Sequence, residues 1–274
     1  MPAEQRRAAV LGHPVAHSLS PALHLAAYDS LGLAWRYDRI DVSGPQLAGF
    51  LDGLDESWVG LSLTRPLKAE VLPLLDEVDP VARATGAANT VVLSGGRRRG
   101  FNTDVAGLVT ALTEHGPIGP RPSAAVIGGG ATARSAVAAL ARLGADSVLV
   151  CLRRPESADD LRATAHSVGV GLHVVPWDSA AAALACEVVV STVPSGAPDG
   201  LVDRLPERAG LLLDVVYDPW PTVLASAWVD RGGRVASGLD LLLHQAVDQV
   251  RLMTGLDPDV ESMRAALLAA TGSR

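Results

Sequence analysis

One stretch constrains this chain more than any other: Ala124-Ala125-Val126-Ile127-Gly128-Gly129-Gly130-Ala131-Thr132-Ala133-Arg134. Four small or apolar residues run into a glycine turn, and an alanine-rich segment then continues to Leu143-Gly144. The pattern predicts strand, tight turn, helix, with Gly128, Gly130 and Ala133 matching G-x-G-x-x-G/A. Each small residue has a physical reason. Gly128 permits the sharp exit from the strand, Gly130 lets a pyrophosphate approach the backbone, and Ala133 lets the helix lie close to the strand. The helix N-terminus turns N–H groups and a partial positive charge toward phosphate. A glycine pattern alone is weak. Here a strand precedes it and a second strand, Ser147–Leu152, follows, which favours a dinucleotide site over an ordinary strand-to-helix turn.

The second strand selects the dinucleotide. A carboxylate roughly 20 residues past the first glycine accepts a hydrogen bond from the ribose 2′-OH of NAD. This chain has Cys151-Leu152-Arg153-Arg154 in that region, with no carboxylate. Two planar, permanently charged guanidinium groups suit a 2′-phosphate; the plain alternative is two surface arginines after a strand, and the glycine turn before them makes NADP the expectation over NAD.

A length of 274 residues allows one large or two modest domains. With 48% hydrophobic and 19% charged residues, the chain is expected to fold around a substantial core. The net charge of −7 argues against nucleic acid as a partner. Cys151 and Cys186 lie in apolar runs with neither disulfide nor zinc spacing, which suits a reducing cytoplasm; no metal site is expected. Met1–Arg7 lacks the apolar region of a secretory leader, and no segment has the length of a membrane span. Gly116-Pro117-Ile118-Gly119-Pro120-Arg121-Pro122 is the candidate domain boundary.

In chain order, Ala8–Leu11 reads as a strand ending in the loop Gly12-His13-Pro14-Val15-Ala16-His17-Ser18-Leu19-Ser20-Pro21. Ser20 is the expected N-cap of a helix with Pro21 as its first residue; a loop rich in Ser and His before a helix start suits a carboxylate, and the equal alternative is that Ser20 only caps while Ser18, His13 and His17 only line the loop. Ala34–Ile40 and Val59–Thr64 are expected strands, Pro45–Leu54 a helix, and Pro66 is expected to open a helix through Leu75. Gly86–Leu93 reads as a loop entering a strand, with a turn at Gly95-Gly96, and Val105–Glu114 as a helix. Further strand-to-helix units follow the glycine turn, with strands at Gly171–Val175, Glu187–Thr192, Leu211–Val216 and Arg234–Ala236. Pro221 or Thr222 is expected to start a helix. Ser237 and Asp240 form a capping box for the helix Leu239–Met253, and Asp257-Pro258 is the expected cap of a last helix. Taken singly, Lys68 reads as a solvated lysine and Asp104 as a helix cap.

Together these stretches resemble the shikimate dehydrogenase family over nearly the whole chain. The matching pieces, in order, are Gly12-x-Pro14-x-x-His17-Ser18-x-Ser20-Pro21-x-x-His24, Thr64-x-Pro66-x-Lys68, Gly86-Ala87-x-Asn89-Thr90 and Asn102-Thr103-Asp104, then the glycine turn. Tyr217-x-Pro219-x-x-Thr222 and Gly238-Leu239-x-x-Leu242-x-x-Gln245 complete the series. The segment Tyr217-Asp218-Pro219-Trp220-Pro221-Thr222 looks like the actinobacterial branch. The resemblance implies an α/β protein of two domains. An N-terminal α/β substrate domain (residues 1–104, completed by 239–274) would be joined to a Rossmann-type, doubly wound parallel-sheet NADP domain (105–238). It implies reversible reduction of 3-dehydroshikimate to shikimate by NADPH, in a cytoplasmic monomer or homodimer. Ser18 and Ser20, with Tyr217, would hold the substrate carboxylate. Thr64, Lys68, Asn89, Asp104 and Gln245 would hold the ring hydroxyls and the reacting oxygen, with Lys68 as acid/base and Asp104 as its partner. The implied cofactor residues are Gly128, Gly129, Gly130, Ala131, Arg153 and Arg154, with Thr192, Val193, Val215 and Gly238 at the ends of later strands.

The residue types fit that chemistry. Hydride arriving at a ketone leaves negative charge on oxygen, which an ammonium can stabilise and protonate. A polyol gains specificity from pairing each hydroxyl with a short polar side chain. Three positions depart from the family pattern. Ser62 stands where many members have Asn, Leu152-Arg153-Arg154 where Asn-Arg-Thr is usual, and Gly-Gly-Gly-Ala where Gly-Ala-Gly-Gly is common. Competing readings are a quinate/shikimate dehydrogenase with broader substrate or NAD use, which also oxidises quinate, and a silent dinucleotide-binding regulator. The arginine pair counts against NAD use and retention of both Lys68 and Asp104 against the regulator. A purely structural α/β protein leaves the matched loops unexplained.

Overall fold

A computed structural model describes residues 6–272. Of the N-terminal segment read above for a leader, residues 1–5 lie outside the described residues, as do residues 273 and 274 at the end of the expected substrate domain. The chain divides into two units, Met1–Thr103 with Gln245–Arg274, and Asp104–His244. Among the described residues no helix is long and apolar enough to cross a membrane.

The first unit begins with β1 (Arg7–Gly12), α1 (Ser20–Ser30), β2 (Arg36–Asp41), α2 (Gly44–Asp52) and β3 (Trp58–Leu63). It continues with α3 (Leu67–Glu70), β4 (Glu77–Val78), α4 (Pro80–Thr85), β5 (Thr90–Ser94) and β6 (Arg97–Phe101). The six strands form one mixed sheet in the order β2-β1-β3-β5-β6-β4. β2, β1 and β3 run parallel, and β5 pairs antiparallel with both β3 and β6 across the Gly95-Gly96 turn. β3 is buried at every position, and Leu11, Leu61 and Leu63 of the sheet pack on Leu47 and Leu51 of α2.

Three local expectations change here. The helix expected from Pro66 through Leu75 is only α3 followed by a 3-10 turn at Leu72–Leu74, because Pro73 removes an N–H donor within the second turn. Ser20 is not the N-cap of α1. Leu19 holds that position, and Ser20 is the first helical residue, its side chain buried. The strand expected at Ala34 begins at Arg36.

The second unit holds α5 (Asp104–Glu114), β7 (Ala124–Ile127), α6 (Ala131–Arg142), β8 (Ser147–Leu152), α7 (Asp159–Val168) and β9 (Gly171–Pro176). After α8 (Ala181–Leu184) come β10 (Val188–Ser191), β11 (Leu211–Asp214), α9 (Val223–Asp230) and β12 (Arg234–Ser237). The strand order is β9-β8-β7-β10-β11-β12, with every neighbouring pair parallel. That is the doubly wound order, whose connections reverse direction between β7 and β10. β7, β10 and β11 are buried throughout, as expected of parallel strands covered on both faces. Thr222 caps α9 by accepting from the Ala225 N–H at 3.0 Å.

The Gly116–Pro122 stretch is not the boundary between units. It lies inside the second unit, where the Arg234 guanidinium donates to the carbonyls of His115 (2.7 Å) and Pro117 (3.3 Å), and the Gly119 N–H donates to Glu187 at 2.9 Å. Glycine and proline mark a loop, but side chains brought from distant strands decide whether it hangs free.

Helix α10 (Gly238–Thr254) runs through the His244–Gln245 division, and α11 (Val260–Gly272) follows. The capping box is formed: Asp240 accepts from the Ser237 N–H at 2.7 Å, and Ser237 Oγ accepts from the Leu239 N–H at 3.2 Å. The cap of α11 is Asp259, which accepts from the Glu261 N–H at 3.1 Å. Asp257, the expected cap, instead takes the Arg251 Nε–H at 2.7 Å.

Candidate active site

The second unit presents its loops at the carboxyl ends of the parallel strands, where ligands of such sheets bind. Gly128 follows β7 with φ of 115°, a conformation that side chains rarely adopt, and a Cβ there would collide with Thr192 Oγ1. The Thr192 hydroxyl donates to the Ile127 carbonyl at 3.0 Å, which ties the β7 and β10 ends together at the switch point. Gly129 and Gly130 are exposed, and a Cβ at Gly130 would meet open space. Among the described residues no side chain caps α6, while Ala133 is fully buried against the sheet. Arg153 and Arg154, both exposed, leave the end of β8, the strand beside β7. An uncapped helix start behind an open glycine, with two guanidinium groups at the next strand end, fits the phosphates of a dinucleotide.

Val215 and Gly238 follow β11 and β12 on the same edge of the sheet. Gly238 is required by close approach, because a Cβ there would run into the Val215 carbonyl and crowd the Tyr217 ring. The Tyr217 loop is anchored by Asp214, whose Oδ2 accepts the Thr222 hydroxyl at 2.8 Å and whose Oδ1 accepts the Val216 N–H at 3.3 Å. Burial raises the Asp214 carboxyl above its usual range. Tyr217 and Val193 are half-buried.

In the first unit, Ser18 and Ser20 touch through their hydroxyls at 3.2 Å. Their loop is held by β2: Arg39 Nε donates to the Ser18 carbonyl at 2.7 Å, and Asp41 accepts from the Val15 N–H at 3.3 Å. His13 Nδ1 sits 2.5 Å from Asp41, and that contact lowers the Asp41 pKa. Thr64 lies beside this loop, since the His13 N–H donates to the Arg65 carbonyl at 3.1 Å and the Thr64 N–H to the Leu11 carbonyl at 2.9 Å. Lys68 is stapled to the next piece, its carbonyl accepting from the Ala88 N–H at 2.7 Å, one residue before Asn89. Asn89 Nδ2 donates to Thr103 Oγ1 at 2.9 Å and to Gln245 Oε1 at 3.3 Å. Asp104, buried, directly follows Thr103 and opens α5 from its first helical position.

The first-unit residues expected from the sequence are thus gathered by three splices: Ser18 with Ser20, the Thr64 turn with the Gly12 loop, and Lys68 with Asn89 and Gln245. Beside them lies a polar layer that joins Ser62 and His24 to two residues the sequence did not single out, Tyr37 and Gln249. Tyr37 donates to Ser62 at 2.6 Å, Ser62 donates to Gln249 at 2.7 Å, and His24 stacks on Tyr37 with ring centroids 3.9 Å apart. The shorter side chain at Ser62 is therefore engaged within the protein. The only sequence signal for Gln249 is its place one helical turn beyond Gln245.

Comparison with known proteins decides the family. A shikimate dehydrogenase of Thermus thermophilus, described as NADP(+)-dependent, is 40% identical over 271 residues, covering 97% of this chain and 99% of that one. The chain belongs to the shikimate dehydrogenase family. A family model for the shikimate dehydrogenase substrate binding domain matches residues 10–91, one for the shikimate 5'-dehydrogenase C-terminal domain residues 238–268, and one for coenzyme F420-dependent NADP oxidoreductases residues 123–216. The crystal structure of Mycobacterium tuberculosis shikimate dehydrogenase superposes with a TM-score of 0.90 at 42% identity, over 96% of this chain and 99% of that one. The crystal structure of a Thermus thermophilus shikimate 5-dehydrogenase, in complex with NADP(H) and shikimate, gives 0.86 at 37% identity, over 97% of this chain and 100% of that one. The expected two-part α/β architecture, an N-terminal substrate-domain match followed by a Rossmann-like unit, is the one found.

Proposed function

We propose that this chain catalyses the reversible, NADP-dependent interconversion of 3-dehydroshikimate and shikimate in the route to aromatic amino acids. The observation that carries the reading is the first-unit cluster around Lys68: an ammonium-bearing turn tied by its own carbonyl to the Asn89 loop, whose amide meets Gln245. NADPH, when bound, supplies the hydride to the ketone carbon. Lys68 stabilises the negative charge that develops on the ketone oxygen and gives that oxygen its proton; in the oxidising direction it takes the proton back. Asp104 partners the ammonium. Thr64, Asn89 and Gln245 bind the ring hydroxyls, and each pairing penalises a ligand lacking that hydroxyl. Ser18 and Ser20, together with Tyr217, bind the carboxylate.

For the cofactor, the backbone N–H groups of Gly129, Gly130 and Ala131 receive the pyrophosphate and Arg153 and Arg154 the 2′-phosphate. Gly128, Thr192, Val193, Val215 and Gly238 shape the floor beneath. Residues 1–104 with 239–274 act as the substrate domain and 105–238 as the cofactor domain. The buried, free thiols of Cys151 and Cys186 suit a reducing cytoplasm, and the acidic chain works on a small molecule as a monomer or homodimer.

The test is a spectrophotometric assay offering shikimate or quinate with NADP⁺ or NAD⁺, run on the native chain and on Lys68→Ala. Strong turnover is expected for shikimate with NADP⁺. Lys68→Ala should lower kcat by about 10²–10⁴-fold while shikimate KM changes far less, as for a group acting mainly in the transition state. Near-normal kcat in the variant removes Lys68 from the chemistry. Equal turnover with quinate or NAD⁺ moves the assignment to the broader dehydrogenase.

A further inference from the structure

We infer that Gln249, with His24 and Thr90, forms a buried relay that fixes which side of the Asn89 carboxamide faces the substrate, making Gln249 a positioning residue for shikimate binding. The inference rests on the assignment of Asn89 to the substrate made above.

Gln249 is 1% exposed, so every polar atom of its amide must find a partner within the protein. Its Oε1 receives two donors, the Ser62 hydroxyl at 2.7 Å and His24 Nε2 at 3.1 Å. A carbonyl oxygen only accepts, so His24 carries its proton on Nε2, and its Nδ1 accepts from the Tyr28 hydroxyl at 3.4 Å. Ser62 can give its proton to Gln249 because it accepts from Tyr37. Complete burial keeps the imidazole neutral, with its pKa lowered to about 3, and burial raises the Tyr37 phenol above its usual range, so both groups stay in the protonation states this pattern requires.

With Oε1 pinned, the Gln249 NH₂ must point the other way. It donates to the Asn89 carbonyl at 3.1 Å and to Thr90 Oγ1 at 3.0 Å. Thr90, having accepted there, passes its own proton to Asn89 Oδ1 at 2.8 Å. The Thr103 N–H, a donor that cannot reverse, joins it on Oδ1 at 2.9 Å. The oxygen of Asn89 is thereby committed to the protein, and its NH₂ is turned toward Thr103 Oγ1 and Gln245 Oε1. Gln245 is oriented in turn, its oxygen drawn to Asn89. The Asn89 N–H that reaches Gln245 at 3.3 Å is the one a ring hydroxyl can take in place of that contact, and the hydroxyl must act there as an acceptor. A buried network of this kind, satisfied at each member, specifies one arrangement.

Four variants test the relay, with KM and kcat measured for shikimate and for NADP⁺ and melting temperatures as a control on folding. Thr90→Val keeps shape but cannot donate to Asn89, and should raise shikimate KM about five- to tenfold with NADP⁺ KM within about twofold. Thr90→Ser restores the hydroxyl and should return KM to within about twofold of the native value. Gln249→Glu keeps volume and can still accept from Ser62 and His24, yet has no proton for Thr90 or the Asn89 carbonyl, so its shikimate KM should rise as in Thr90→Val. A merely structural role would lower melting temperature and active fraction, move kcat for both substrates together, and leave KM unchanged. Asn89→Ala separates the two claims. If it leaves shikimate KM unchanged, the placement of Asn89 at the substrate falls, and the relay falls with it. If it raises KM at least tenfold while Thr90→Val and Gln249→Glu leave KM within about twofold, the relay alone is overturned.

Discussion

Among single residues, His24 shows how far burial separates a side chain from its neighbours in the chain. In the sequence it is the last member of a Ser-x-Ser-Pro-x-x-His motif on the first helix. In the structure it is fully buried, stacked on Tyr37 and bonded to Gln249. Desolvation lowers its pKa from 6.5 to about 3, with the Gln249 bond opposing that shift. The consequence for stability has a definite sign. Between those two values the unfolded chain binds a proton that the folded chain does not, so stability falls as pH drops through this window, at a limiting slope of about 1.4 kcal/mol per pH unit. Urea unfolding at pH 7, 6, 5 and 4 should show that slope in the native chain and a flatter one in His24→Gln. An unchanged slope in the variant would assign the titration elsewhere.

Among elements, those whose boundaries depend on nearby residues were the most legible. The strand Ser147–Leu152 and the helix beginning at Ala131 follow from an apolar run, a glycine turn and alanine spacing, all within a few residues of each other. Those that went astray turned on competition between neighbours. Asp257 and Asp259 are both good capping residues; Asp259 caps because Arg251 takes Asp257. Pro66 could open a long helix, but Pro73 stops it. The glycine turn carries its own prediction. Gly128→Ala places a methyl group against Thr192 Oγ1 in a left-handed conformation, and should cost about 1–2 kcal/mol in backbone strain alone. A lower melting temperature and an NADP⁺ Kd raised at least about tenfold are expected from thermal melts and titration. A variant that binds NADP⁺ normally would show that the turn does not form the phosphate cradle.

Over the whole molecule, the two units carry separate cores, one around Leu11, Leu61 and Leu63 and one around Ile127, Leu212 and Trp228. Ligand effects should separate accordingly. If Arg153 and Arg154 hold the 2′-phosphate as proposed, Arg153→Ala/Arg154→Ala is expected to weaken NADP⁺ by about 10–100-fold, leave NAD⁺ within about threefold, and leave shikimate KM unchanged, because each arginine would lose a charge-assisted bond to a group that NAD⁺ lacks. Calorimetric titration of both nucleotides checks this; equal weakening of both would place the arginines elsewhere on the dinucleotide. What the sequence determined by itself was the class of architecture and the candidate residues, since strand hydrophobicity, glycine conformations and motif spacing act over short stretches. Only tertiary structure decided which polar groups satisfy one another. Gln249 meets Ser62 across 187 residues of chain and His24 across 225, and no local rule reports a hydrogen bond whose partner arrives from so far away. The same holds for Arg234, which makes the Gly116–Pro122 stretch part of the second unit rather than its edge. A buried polar group must pair with whatever donor or acceptor packing brings to it, and packing is a property of the folded chain as a whole.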